Sequence, residues 1–267
     1  MRIRTAYVAF TAQTAPPITV AGKFCAPMAA GEAAPLPAVL ICHGSDGVDG
    51  RGEFHAGALH AAGMATLEID MWAARGTARG ALARPASPIE TLPDAFAALA
   101  FLAAQPEVDG LRIGIMGFSW GGAVTLLCAT RRHASALSQD GQGFRAHAAL
   151  YPVCWAYARL PAMALAELTG APILIQTGEA DAYDAPGAGE TLAAALRAQG
   201  VEAANTTYAG AGHGFDRDLP AQTIVDPFAH QGAGGPVPMA FDPAAAAAAR
   251  EAVCGFFKRT LAAEAER

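Results

Sequence analysis

The sequence predicts a single α/β domain over residues 1–267, built on an open, mostly parallel, doubly wound sheet with helices on both faces. Short apolar runs alternate along the chain with Ala- and Leu-rich stretches of helical length, and no break in composition separates two parts. The short runs are continuously apolar, which is typical of strands buried on both faces in a parallel sheet. Repeated β-α-β units with right-handed crossovers produce the doubly wound arrangement.

The elements follow in order along the chain. Two β-branched and aromatic stretches, Thr5–Phe10 and Ile18–Cys25, predict an opening antiparallel pair. Six further strands are predicted at Pro37–Cys42, Ala65–Ile69, Arg112–Met116, Ala146–Tyr151, Ile173–Gln176 and Glu202–Tyr208. Helices are predicted between them at 52–63, 91–105, 120–131 and 186–199. A last helix, Pro243–Ala263, has Asp242 as its N-cap and a proline at its first position.

Three connections are unusually long, at Gly76–Ile89, Arg132–Arg145 and Asp216–Phe241. Unstructured stretches of this length are typical of lids and binding loops, and insertions without a role give the same pattern. The sequence leaves both alternatives open, including whether residues 216–241 act as a lid.

Composition excludes several classes of protein. Of the 267 residues 53% are hydrophobic and 16% are charged, which excludes a disordered chain. A net charge of −6 without a Lys/Arg cluster argues against a nucleic acid partner. The longest apolar run, Ala95–Ala104, is half of the ~20 residues that a membrane span needs. No group of His, Asp and Cys has metal-ligand spacing, so no metal is expected.

The cellular compartment is predicted from two features, the N-terminal segment and the cysteines. No apolar segment follows Arg2 and Arg4, so no signal peptide is predicted. The five cysteines include no CxxC pair. These features favour a cytoplasmic protein, although a chain from which a signal peptide had been removed would have the same sequence.

The strongest motif is Gly117-Phe118-Ser119-Trp120-Gly121, a G-x-S-x-G between a predicted strand and a predicted helix. This is the setting of a nucleophile elbow, in which a sharp turn exposes a serine hydroxyl above the sheet. The two glycines remove Cβ atoms that would clash in the turn. The N-terminus of the helix that follows faces the point where negative charge develops. The alternative is a glycine-rich turn with an idle serine.

A nucleophilic serine needs a base. In folds with a nucleophile elbow, the acid and then the histidine follow the serine along the chain. His213 lies in a glycine-rich turn after the last predicted strand, at the edge where doubly wound sheets place their sites. Asp181 lies in the loop after the preceding strand, where a carboxylate can orient the imidazole. The other candidates are His133, His147 and His230 for the base, and Glu179 and Asp184 for the acid.

The oxyanion hole requires two backbone N–H groups, which we assign to Ser45 and Trp120. The glycines beside Ser45 are also consistent with a simple tight turn. Four residues are candidates for substrate binding: Trp72, Arg75, Tyr151 and Trp155. Arg75 receives an acidic substrate group or pairs with a nearby acid, and the aromatic side chains line a pocket or pack in the core.

The segments RIGIMGFSWGG, PAVLICHGSDG, QTGEAD and AGAGHGF resemble the dienelactone hydrolase family of α/β-hydrolases, from about Ile18 to the last helix. The resemblance implies a sheet of about eight strands and a triad of Ser119, Asp181 and His213, with Ser45 and Trp120 as oxyanion donors. It also implies hydrolysis of a small-molecule ester or lactone without a cofactor.

Two departures from the family pattern matter. The nucleophile is Ser119 where dienelactone hydrolases carry cysteine, and the first oxyanion turn reads His43-Gly44-Ser45 where they carry glutamate. These departures favour a general serine carboxylesterase. Fold and triad do not fix the substrate, so a peptidase-like or polyester hydrolase stays open, as does a non-catalytic protein that binds a small molecule. The oligomeric state is not predicted.

Overall fold

The computed structural model describes residues 2–28, 34–77, 80, 82–138 and 141–262. Its strands are β1 Arg2–Ala12, β2 Ile18–Met28, β3 Leu36–Cys42, β4 Ala65–Asp70, β5 Val108–Phe118, β6 His147–Leu150, β7 Ile173–Gly178, β8 Ala203–Tyr208, β9 Gln222–Asp226 and β10 Gly235–Met239. Its helices are α1 Gly50–Ala61, α2 Leu92–Ala103, α3 Trp120–Leu127, α4 Arg131–Leu137, α5 Ala156–Arg159, α6 Ala188–Arg197, α7 Ala229–Gly232 and α8 Pro243–Thr260. Short 3-10 turns lie at Ala73–Arg75, Pro88–Thr91 and Pro161–Met163.

Eight strands form the central sheet in the order β1-β2-β4-β3-β5-β6-β7-β8. The β1–β2 and β2–β4 pairs are antiparallel, and all pairs from β4 to β8 are parallel. The predicted fold class is therefore confirmed. The parallel order brings the carboxyl ends of β3, β5, β7 and β8 to one edge, where the loops after these strands can meet.

Both faces of the sheet are covered, which explains the continuous apolar runs. On β3, Leu40 belongs to the core cluster that includes Leu99 of α2 and Val124 of α3. Its neighbour Ile41 belongs to the opposite cluster, which includes Phe257 of α8. Successive side chains of a strand point to opposite faces, so a strand covered on both sides is apolar at every position.

The helical stretch predicted at 120–131 is interrupted. Helix α3 ends at Leu127, whose carbonyl accepts a hydrogen bond from the Thr130 hydroxyl, and Thr130 is extended. Helix α4 begins at Arg131, the last residue of the predicted helix, and extends to Leu137 within the connection predicted at 132–145. A threonine side chain that satisfies a carbonyl at a helix end competes with continuation of the helix.

The connection predicted at 216–241 contains the antiparallel β9–β10 hairpin, which the sequence did not indicate. Pro236 and Pro238 lie in β10, and a proline within a run argues against a strand because it cannot donate to a ladder. Both strands of a two-stranded hairpin are edge strands, and edge strands tolerate proline. The last helix begins as predicted, since Asp242 accepts hydrogen bonds from the amides of Ala244 and Ala245, at 3.0 Å each. Ala263, at its predicted end, lies outside the described residues.

Across these described ranges, the helices are too short or too polar to cross a membrane.

Candidate active site

The turn between β5 and α3 has room only for glycine on either side of Ser119. A Cβ added at Gly117 would lie 2.2 Å from the carbonyl oxygen of Gly121, and one at Gly121 would lie 2.1 Å from the carbonyl oxygen of Cys42. Ser119 itself has φ 52° and ψ −107°, a conformation that side chains rarely adopt. Such strain costs about 1–3 kcal/mol, and it lifts the hydroxyl clear of the sheet.

A chain of two hydrogen bonds joins three residues that are remote in sequence. His213 Nε2 lies 2.8 Å from Ser119 Oγ, and His213 Nδ1 lies 2.8 Å from Asp181 Oδ2. The His213 side chain is only 3% exposed, and Asp181 is also buried. A carboxylate only accepts, so Nδ1 carries the hydrogen and Nε2 accepts from the serine hydroxyl. The other oxygen of Asp181 accepts from the amide of Tyr183 at 2.9 Å.

The rival candidates for base and acid have other partners. His147 Nδ1 donates to the carbonyl oxygen of Thr125, and burial lowers the pKa of His147 to about 4. His230 Nε2 donates to the carbonyl oxygen of Pro236 at 3.0 Å. The remaining candidates contact Arg132 (His133), the amide of Gly210 (Glu179), and the amides of Cys154 and Trp155 (Asp184).

The turn after β3 places Ser45 beside the elbow, where both serines line one cavity. The carbonyl of Ser45 accepts hydrogen bonds from Trp72 Nε1 at 3.0 Å and from the amide of Gly80 at 3.1 Å. Within the described ranges, neither the amide of Ser45 nor that of Trp120 donates to a protein acceptor. Two unused N–H groups next to a serine hydroxyl are what a developing oxyanion requires.

His43 supports this turn from below. Its Nδ1 donates to the carbonyl oxygen of Gly44 at 2.7 Å, and its Nε2 accepts from the amide of Met71 at 2.9 Å. Burial lowers the pKa of His43 to about 4, which keeps the ring neutral and leaves Nε2 free to accept. His43 is thus a structural part of the loop.

A small cavity of about 50 Å³ opens beside Ser119. Most of its wall is apolar, and its lining includes Trp120, Ala123, Pro152, Val153, Met163 and Phe228. Polar groups enter from Ser45, Arg84 and Tyr183. Sequence reasoning did not identify Arg84, Tyr183 or Phe228, because they lie in connecting segments without a motif.

The four predicted substrate-binding residues do not line this cavity. Arg75 binds both oxygens of Asp94, at 2.6 and 2.9 Å, which is the second alternative that the sequence left open. Trp72 is buried and donates a hydrogen bond to the carbonyl of Ser45, and Trp155 stacks on the ring of Phe228. Tyr151 is fully buried, with its ring centroid 4.8 Å from that of His213. Each of the three aromatic side chains contacts another residue of the site, since Trp72 packs against Trp120, Tyr151 against His213 and Trp155 against Phe228.

A buried polar network lies behind His213. The Tyr151 hydroxyl donates to Asp216 and accepts from Arg51 at 3.2 Å, and His55 Nε2 lies 2.9 Å from Asp216. These side chains come from α1, from the loop after β6 and from the loop after β8, so the network ties the His213 loop to the body of the protein. No motif indicates it; only its burial identifies it.

The sequence profile of the dienelactone hydrolase family matches residues 24–261. The dienelactone hydrolase-like promiscuous phosphotriesterase P91 from metagenomic libraries is 22% identical over 97% of this chain and 99% of its own, with a TM-score of 0.69. Thermogutta terrifontis esterase 2, solved phosphorylated by paraoxon, is 16% identical over 95% of this chain and 94% of its own, with a TM-score of 0.66.

A third solved structure, the thermostable carboxylesterase EstE1 from a metagenomic library, is 18% identical over 98% of this chain and 90% of its own, with a TM-score of 0.63. Among curated proteins, none matches the chain. Identities this low show a shared fold, and the family follows from the profile match. The chain belongs to the dienelactone hydrolase family and has its α/β-hydrolase fold.

Proposed function

We propose that the protein is a serine hydrolase that cleaves carboxylic esters or lactones through an acyl-enzyme. The observation that carries this proposal is the hydrogen-bonded chain from Ser119 Oγ through His213 to Asp181, on a strained elbow beside two unused backbone amides. A non-catalytic binding protein has no need of that strain or of a buried carboxylate aimed at His213.

Each group has a role in two half-reactions. Ser119 Oγ attacks the carbonyl carbon and its proton passes to His213 Nε2, while the amides of Ser45 and Trp120 hold the oxyanion. Asp181 stabilises the imidazolium that forms. His213 then returns the proton to the departing alkoxide. In the second half-reaction His213 takes a proton from water as the water oxygen bonds to the acyl carbon. The bond from that carbon to Ser119 Oγ then breaks, His213 returns the proton to Oγ, and the acid is released.

The charges around the site favour a neutral substrate. Three arginines near the site are each paired with a carboxylate: Arg75 with Asp94, Arg84 with Asp226, and Arg217 with Asp46. An incoming substrate carboxylate would have to displace one of these partners and leave it without its counter-charge, which is costly for Asp94 and Asp226 because both are fully buried. The small, largely apolar cavity therefore fits a short, uncharged acyl group.

Substitution of the triad tests the proposal. We expect Ser119→Ala to lower kcat for a short-chain p-nitrophenyl ester by about 10⁶-fold, and Asp181→Asn to lower it by about 10⁴-fold through the wrong imidazole tautomer. Ser119→Ala should leave the thermal midpoint nearly unchanged, because alanine bears the same backbone strain as serine. Stopped assays with both variants measure the losses.

A serine-directed phosphonate provides the control that separates an enzyme from a binding protein. Intact mass spectrometry should show one adduct on the wild-type protein and none on Ser119→Ala. A wild-type protein that takes up no phosphonate and leaves short aryl esters and lactones intact would contradict hydrolysis and favour the binding protein.

A further inference from the structure

We propose that the side-chain hydroxyl of Ser45 is a third donor to the oxyanion, and that Arg84 is the positioning residue that turns it toward the substrate. This inference rests on the proposed function. The Ser45 hydroxyl would act in addition to the two backbone amides, and a residue without a hydroxyl at this position could not supply it.

The first observation is the hydrogen bond that the hydroxyl already accepts. Arg84 Nη1 lies 2.7 Å from Ser45 Oγ. A guanidinium has five donors and no acceptor, so the serine oxygen must be the acceptor in this contact. The hydroxyl hydrogen therefore remains available for another partner, and among the described residues nothing accepts it.

The second observation is that Arg84 cannot easily move. Its Nη1 and Nη2 bind the two oxygens of Asp226, at 2.8 and 2.9 Å. Asp226 is fully buried and also accepts from the Tyr183 hydroxyl at 2.7 Å and from the amide of Phe228 at 2.8 Å. The Arg84 guanidinium also lies over the ring of Trp120, 5.5 Å from its centroid. With its side chain only 8% exposed, Arg84 holds one orientation.

The third observation is the position of the hydroxyl. Ser45 and Ser119 line the same small cavity, so an acyl group attached to Ser119 lies in the cavity that the Ser45 side chain also lines. In a serine, the amide nitrogen and Oγ are separated only by Cα and Cβ, so both can donate to a single acceptor. Because Arg84 fixes one lone pair of Oγ, the hydroxyl loses rotational freedom before the substrate arrives. A cationic donor to that oxygen also polarises the O–H bond.

In the chemical step, the hydroxyl donates a hydrogen bond and transfers no proton. As Ser119 Oγ forms its bond to the carbonyl carbon, the π electrons move to the carbonyl oxygen and the serine proton moves to His213. The oxyanion then accepts from two amides and from Ser45 Oγ–H. When the tetrahedral intermediate collapses, the electrons return and the Ser45 hydroxyl is unchanged.

The test is Ser45→Ala, which removes the hydroxyl and keeps the backbone amide. We expect kcat for a p-nitrophenyl ester to fall by about 100-fold, the lower end of the range for one oxyanion donor, with KM nearly unchanged. A donor used only in the transition state lowers kcat and kcat/KM together. The affinity for an alkylboronic acid, which forms a tetrahedral adduct on Ser119, should fall by a similar factor.

Two further variants keep the test decisive. Ser45→Thr keeps a hydroxyl and should recover most of the lost kcat, whereas Ser45→Cys keeps the volume with a weak donor and should not. If Ser45→Ala folds poorly, as judged by circular dichroism, this pair gives the same comparison. Arg84→Lys tests positioning: it should lower kcat in the wild-type background and cause no further loss in Ser45→Ala.

The outcomes separate this proposal from the proposed function. A wild-type protein that is inert to esters and to phosphonate ends the proposed function. An active wild type with undiminished kcat in Ser45→Ala, or with a change in KM alone, overturns the third donor and leaves the triad intact. Equal losses from Arg84→Lys in both backgrounds would show that Arg84 acts independently of Ser45.

Discussion

At the scale of single residues, the site depends on the absence of Cβ atoms from the glycines of the elbow as much as on its polar side chains. The elbow brings the backbone of Gly121 so close to the end of β3 that any Cβ would overlap the Cys42 carbonyl. Because β3 and β5 are neighbours in the sheet, the turn that contains Ser45 lies beside the elbow that contains Ser119, and both serines line one cavity. The steric crowding at Gly121 and the closeness of the two turns therefore have one cause, the pairing of β3 with β5.

The same substitution should have opposite effects at two glycines. Gly121→Ala places Cβ 2.1 Å from a backbone oxygen that cannot move without disrupting β3, and we expect a loss of about 3 kcal/mol or more in the free energy of unfolding. Gly57→Ala, in the exposed middle of α1 with nothing within 4 Å of its Cβ, should gain about 1 kcal/mol from helix propensity. Urea unfolding of both variants measures the difference; equal effects would contradict the crowding argument.

At the scale of elements, the sequence was informative wherever a local pattern coincided with a position in the sheet. The apolar runs identify β3 to β8, and the loops after β5, β7 and β8 carry the three residues that the structure brings together as Ser119, Asp181 and His213. Once strands are parallel, their carboxyl ends meet at one edge, so order along the chain indicates proximity. The catalytic roles of these residues remain predictions.

The parts that the sequence did not indicate depend on contacts between connections. Arg84 and Asp226 meet although they lie in two different long segments, and neither segment has a periodic pattern that fixes its path. Asp216 lies three residues after His213 with no motif of its own, and its role as acceptor for Tyr151 and His55 follows only from their burial. Side chains from such connections that complete a cavity wall can therefore be identified from the structure, but not from residue spacing in the sequence.

The N-cap of α8 offers a test of whether this helix end contributes to stability without affecting the site. Asp242→Ala removes the acceptor for two helix amides and should lower stability by about 1 kcal/mol, or ~2–4 °C in Tm for a chain of this size. Asp242→Asn keeps the cap and serves as the control. Alanine retains the backbone N–H that donates to the carbonyl of Phe215, two residues after His213, so kcat should not change. A fall in kcat without a fall in Tm would contradict this assignment.

At the scale of the whole molecule, burial of ionisable groups sets the dependence of stability on pH. Burial lowers the pKa of His43 and of His147 to about 4. Between about pH 6.5 and 4 the unfolded chain therefore binds more protons at these histidines than the folded protein does. Both residues make stability fall as the pH is lowered through that range.

Glu68 of β4 acts in the opposite direction. Its carboxylate packs against α1, where a Cβ at Gly52 would lie 1.9 Å from its Oε1. Burial, with a smaller contribution from Asp49, raises the pKa of Glu68 to about 7, although Lys23 offsets part of the shift. Between its ordinary value of 4.5 and 7, the folded protein keeps a proton that the unfolded chain releases, so Glu68 makes stability fall as the pH rises.

Glu68→Gln separates this contribution from that of the histidines, because glutamine resembles the protonated carboxyl and does not titrate. Compared with wild type, the variant should gain about 2 kcal/mol more in the free energy of unfolding at pH 8 than at pH 5. Urea titrations at both pH values measure the two differences. A gain in Glu68→Gln that is equal at both pH values would mean that Glu68 is ionised in the folded protein throughout, with its charge satisfied by Lys23.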